Sequence, residues 1–93
     1  MAQNVPLPQT FNDQGPRHTQ FFVAKAGSLR LALRHDGKGN FIATLLNAQG
    51  QLVDLAANVI GAYEGVKVVR IPTAGVYLFT VEADGAWSIE STQ

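Results

Sequence analysis

His18 and His35 are the only side chains in this 93-residue sequence that ordinarily titrate near neutrality. A protein zinc site needs about three ligands gathered in space. With no cysteine to add a thiolate, two histidines do not make one. The missing cysteines also remove disulfides and thiol nucleophiles. Ser28, His35 and Asp54 assemble into a hydrolase triad on paper. Ser28, however, follows Ala26-Gly27 and opens a strand-like run, which is ordinary turn chemistry and lacks the elbow that activates a serine. Glycoside hydrolysis needs two carboxylates facing each other across a cleft. Asp36, Asp54, Glu64, Glu82, Asp84 and Glu90 instead fall at turns or on outward strand positions. Gly37-Lys38-Gly39 lacks the strand–loop–helix setting of a phosphate loop. The sequence therefore predicts no enzyme, no cofactor and no metal.

The residues suited to binding are few. Arg30 and Arg34 share one face of a predicted strand and form a small anion or partner patch. Tyr63, beside Glu64 in a stretch with Gly61 and Gly65, is expected as an exposed contact on a loop over 58–65. Tyr77 and Trp87 have ring faces that suit a pyranose, but in a small β-domain they are expected in the core. Val5, Leu7 and Phe11 interrupt the polarity of a segment holding Pro6, Pro8 and Pro16. Prolines fix φ and disfavour helix before them, so residues 1–18 read as an extended arm that docks on its own domain or on a neighbour.

These side chains need elements to hold them, and the pattern is that of strands. Leu29, Leu31 and Leu33 alternate with Arg30, Ala32 and Arg34, and Phe41, Ala43 and Leu45 alternate with Ile42, Thr44 and Leu46. Runs at 20–25, 28–35, 40–47, 52–57, 66–71, 75–83 and 86–89 are separated by turn residues. Asp84-Gly85 suits a type I′ hairpin between the last two. Seven short strands at about ten-residue spacing predict an all-β, antiparallel sandwich over 19–93. Leu29, Leu31, Leu33, Phe41, Leu45, Val69, Ile71, Phe79, Val81 and Ile89 are its expected core.

Composition sets further limits. An apolar fraction of 46% supports one compact domain. Seven basic and seven acidic side chains cancel, so neither nucleic acid nor an anionic membrane is an expected partner. Between Gln20 and Gly61 basic residues outnumber acidic four to two, and from Ala62 onward the ratio reverses. Met1-Ala2-Gln3-Asn4 has no basic start and no apolar run after it, so no signal peptide is expected.

The run Phe22-Val23-Ala24-Lys25-Ala26-Gly27, the segment Gly39 to Asn47 followed by Gly50, and Gly75-Val76-Tyr77-Leu78 with Val81 to Ile89 resemble the bacterial pre-peptidase C-terminal domains and related jelly-roll modules. The resemblance spans roughly Thr19 to Ser91. It implies a non-catalytic appendage of a secreted enzyme that binds polysaccharide or protein fibres. Calcium-binding members gather acidic residues near the domain's start, where this chain has only Asp13. Two functions follow as expectations. The first is a structural or assembly protein, a virion surface or fibre subunit, that binds a protein lattice or its own copies through Val5, Leu7, Phe11, Arg30, Arg34 and Tyr63. It would be made in the cytoplasm without a signal peptide. The alternative is a carbohydrate- or protein-binding accessory module of a secreted bacterial enzyme.

Overall fold

A computed structural model describes residues 5–93. Nine strands follow in order: β1 (Gln9–Gln14), β2 (Arg17–His18), β3 (Phe22–Ala24), β4 (Gly27–His35), β5 (Asn40–Asn47), β6 (Leu52–Ile60), β7 (Tyr63–Ile71), β8 (Gly75–Ala83) and β9 (Ala86–Thr92). There is no helix among the described residues. One sheet has the order β1-β9-β4-β7. The other has the order β2-β8-β5-β6, with β3 also on β8. Every pairing between these strands is antiparallel. This is the sandwich expected from the alternation, and β3 to β9 are its seven expected strands.

The alternation decides which face is buried. On β4, Leu29, Leu31, Leu33 and His35 point inward while Ser28, Arg30 and Arg34 are exposed. All ten expected core residues are buried. Phe11, Phe22, Tyr77 and Trp87 join them, so Tyr77 and Trp87 are core residues and not a sugar platform. Phe22 stacks on Phe79 at a centroid separation of 5.2 Å, and Phe11 lies 5.7 Å from Phe22 and 6.1 Å from Phe79. Trp87 has a buried indole whose Nε1–H must find an acceptor, and it donates to Gly15 O at 2.9 Å.

Local sequence misplaces three segments. The first is Asp84-Gly85, which does not close a hairpin. β8 belongs to one sheet and β9 to the other, and neither Asp84 nor Gly85 has the positive φ of a type I′ turn. The dipeptide is a corner between sheets. The second is 58–65, expected as a loop. β6 runs on to Ile60, the chain turns at Gly61 (φ 93°), and β7 starts at Tyr63. The third is the arm, expected as weakly structured. Its residues 1–4 lie outside the described residues. The rest pairs with its own domain, with β1 laddered on β9 from Gln9–Ser91 to Gln14–Ala86 and β2 on β8. The prolines permit this because Pro8 and Pro16 flank β1 and do not interrupt its ladder.

Thr19 mends the gap between β2 and β3. Its N–H donates to Phe79 O at 2.8 Å, and its hydroxyl accepts from Phe79 N at 3.0 Å. On the opposite flank β6 carries two register shifts against β5, with Ala56 and Val53 as the extra residues. That explains why Ala56 and Ala57 are buried in succession, which a regular strand forbids. Lys67 points inward from β7, bonds to Leu55 O and lies 3.8 Å from Asp54, so it bridges the two sheets at their open side.

Leu31 is fully buried at the centre of β4. Leu31→Ala is expected to cost about 2–5 kcal/mol, and Phe11→Ala about 3–5 kcal/mol. Urea unfolding at equilibrium checks both, and a cost for Phe11→Ala near zero would mean that β1 adds nothing to the core.

Candidate functional site

The outer face of the β1-β9-β4-β7 sheet carries a broad groove that gathers side chains from all four of its strands. Register fixes its layout. Thr10 of β1 lies opposite Glu90 of β9, Glu90 opposite Ala32 of β4, and Ala32 opposite Val66 of β7. The next row runs Asn12, Ser88, Arg34, Glu64. Arg30 lies between Thr92 and Val68. Ala32, the smallest outward side chain between the two arginines, is the floor of a groove of about 540 Å³. Successive outward residues on a strand stand about 7 Å apart, so Arg30 and Arg34 flank that floor along β4.

Arg34 Nε is 3.3 Å from Asp36 Oδ1, an exposed pair that adds little stability. Arg30, Glu64, Arg70 and Glu90 are in no salt bridge among the described residues. The face thus offers guanidinium donors, carboxylate acceptors and two exposed valines, Val66 and Val68. That mixture suits a polypeptide, whose backbone and side chains present the same kinds of group.

The other residues singled out in the sequence lie elsewhere. Val5 makes a parallel bridge to Phe22 through Val5 N to Phe21 O (2.9 Å) and Val23 N to Val5 O (3.0 Å). Leu7 packs against the core, and Phe11 is 7% exposed inside it. Tyr63 is on β7, not a loop, with its ring 6.4 Å from Phe41. Ser28 and His35 are at opposite ends of β4, about 24 Å apart at roughly 3.4 Å per residue, so the paper triad does not assemble. No three metal-ligating side chains come together among the described residues.

His35, considered in the sequence only as a metal ligand or triad base, closes β4 ahead of a turn and is 1% exposed. It stacks on Phe41 at 4.9 Å. Nδ1 lies 2.8 Å from Gly61 O, an acceptor, so Nδ1 carries the proton. Nε2 lies 3.3 Å from Asp84 Oδ1 but without a well-directed hydrogen bond. The Asp84 carboxylate accepts the Gly39 N–H at 2.8 Å. That bond is the main reason its pKa falls below the ordinary 3.8; desolvation opposes it, and the Lys38 N–H, its own N–H and His35 add to the lowering. There is no space to spare, since a Cβ on Gly37 would stand 2.0 Å from Asp84 Oδ1 and one on Gly85 would stand 2.7 Å from Gly37 Cα. The cluster is a structural clamp. Its Nε2 is buried.

No family model matches this sequence, and no curated protein does. Among solved structures, the pre-peptidase C-terminal domain of a collagenase from Bacillus anthracis matches with a TM-score of 0.64 and 12% identity. The match covers 99% of this chain and 95% of that domain. The chain has the β-sandwich fold of that domain, as the resemblance implied.

The lowered Asp84 pKa makes a prediction about acid stability. The folded state favours the carboxylate, so the contribution is complete above the unfolded value near 3.8 and disappears as pH falls through the lower folded value. Asp84→Asn keeps an oxygen acceptor for Gly39 N–H but removes the charge. Below pH 4 the variant is expected to lose less stability per pH unit than the parent. Urea midpoints measured between pH 7 and pH 2 test this, and equal slopes in the two proteins would contradict it.

Proposed function

We propose that this chain is a non-catalytic binding module, an accessory domain of a secreted bacterial enzyme, and that it holds polypeptide on the outer face of the β1-β9-β4-β7 sheet. The observation that carries this reading is the end-to-end likeness to a domain that belongs, in Bacillus anthracis, to a collagenase. That likeness favours the accessory-module reading over a virion or fibre subunit, for which it offers no support. The groove over Ala32 supplies the surface, with Arg34 on its lining as donor to carboxylates or backbone carbonyls and Glu90 as acceptor, and Arg30 beside it on the same face of β4 as a second donor. Burial of the Tyr77 and Trp87 rings favours polypeptide over polysaccharide, because neither ring has a face free for a sugar. In this reading Arg30 and Arg34, expected from the sequence as partner-binding residues, act together with their neighbours Glu90, Ala32 and Val66. Secretion enters on the same likeness.

An insoluble fibrous protein is the first probe, with collagen fibrils chosen for the neighbour's sake and microcrystalline cellulose and chitin as polysaccharide controls. Retention is expected on the protein. A charged hydrogen bond contributes about 1.5–3 kcal/mol, so Arg30→Ala should weaken binding by about tenfold or more. Ala32→Trp fills the groove floor and should abolish binding while leaving the urea midpoint unchanged. Retention on polysaccharide alone, or Ala32→Trp binding like the parent, would overturn the assignment.

A further inference from the structure

We infer that β7 is a self-recognition edge, through which two copies of this chain join by antiparallel β7–β7 pairing. The inference goes beyond the binding reading above and needs no ligand. A sandwich has four exposed edges, and unpaired backbone on an edge invites another strand. Three edges here are blunted. β6 carries two bulges. β2 and β3 are short pieces separated by residues 19–21. β1 spans six residues between Pro8 and the Gly15-Pro16 bend. β7 is different. Its nine residues pair with β4 without a register shift, it contains no proline, and no strand covers its far side. On its outer face Val66 and Val68 are 55% and 58% exposed.

The side chains say what fits there. The outward residues of β7 are Glu64, Val66, Val68 and Arg70. In an antiparallel pair, residues directly opposite each other project from the same face of the sheet. A continuous sandwich therefore requires outward to oppose outward, which removes every register that shifts by one residue. One register among those left, with Lys67 on the two-fold axis, sets Glu64 against Arg70 of the second copy and Val66 against Val68. The same contacts repeat across the axis, as an isologous interface demands. A slip of two residues sets Glu64 against Val68 or brings it to Pro72, and both ion pairs are lost. Glu64 and Arg70 form no salt bridge within their own chain among the described residues, so both are available. The two Lys67 side chains meet on the inner face, where each is held by Asp54 and Leu55 O of its own copy.

A single strand-to-strand contact is a small interface, so association is expected in the range up to about 1 mM. Sedimentation velocity of the whole chain over a concentration series reads it directly. Glu64→Arg and Arg70→Glu should each weaken self-association at least about tenfold, since each places like charges across both symmetric positions. An equimolar mixture of the two variants should then associate better than either alone, because every cross-copy pair is again opposite in charge. The mixture is decisive. In Glu64→Arg the new side chain also lies opposite Arg34 within its own sheet, and mixing relieves only the repulsion between copies. Circular dichroism confirms that both variants fold. A parent that stays monomeric at the top of the series, or a mixture no better than its components, overturns the inference. Neither outcome touches the groove over Ala32, which is tested by retention on fibrils.

Discussion

One buried imidazole holds three corners of this sandwich. The chain changes sheet after β1, β3, β4, β6, β7 and β8, and only β5 and β6 are joined as a hairpin within one sheet. Each change of sheet costs a corner whose backbone groups leave the ladders and need other partners. His35 reaches the β6–β7 corner through Gly61 O and lies against the β8–β9 corner through Asp84, and it is itself the last residue before the β4–β5 corner. Backbone bonds from Gly61 N to Gly39 O (2.8 Å) and from Asp36 N to Ala86 O (2.9 Å) complete the mesh. Gly37 and Gly85 are glycine because the corners touch, not because φ demands it.

The N-terminal arm is held by apolar packing and one indole. Phe11, Phe22 and Phe79 bring together β1, β3 and β8 from both sheets. The bond from Trp87 to Gly15 O fixes the point where the chain leaves one sheet for the other. The N-terminal arm is thus a closing strip of the barrel-like edge. What its three apolar residues recognise is their own domain. That the outer groove and the core are built from alternate residues of the same strands is a direct result of the two-residue period.

Much of this was legible from residue order. Leu29, Leu31 and Leu33 against Arg30 and Arg34 define β4 and both its faces without any tertiary knowledge. Long-range geometry was not legible. Asp84-Gly85 reads the same whether the flanking strands pair with each other or part to different sheets. The consecutive burial of Ala56 and Ala57 needs a bulge, and their small size gives no sign of one. His35 looks like a turn residue because its neighbours in space, the acceptor Gly61 O and the Asp84 carboxylate, are remote in sequence. The groove is a matter of register. Thr10, Glu90, Ala32 and Val66 come from four strands, and nothing in their order along the chain places them in one row.

The pairing of β1 with β9 sets a condition on time. Nearly the whole chain separates Gln9 from its partner Ser91, and long-range pairings of this kind place a domain among the slower-folding topologies. At about 5–20 residues per second of synthesis, β1 waits roughly 4–17 s for β9 to exist. Over that interval Phe11 has no core to enter and β4 lacks the strand that separates it from β1. The β5–β6 hairpin, whose turn is tied by Asn47 to Gln49 and Gln51, is the part that can form at once. The last strand made is therefore the one that admits the first.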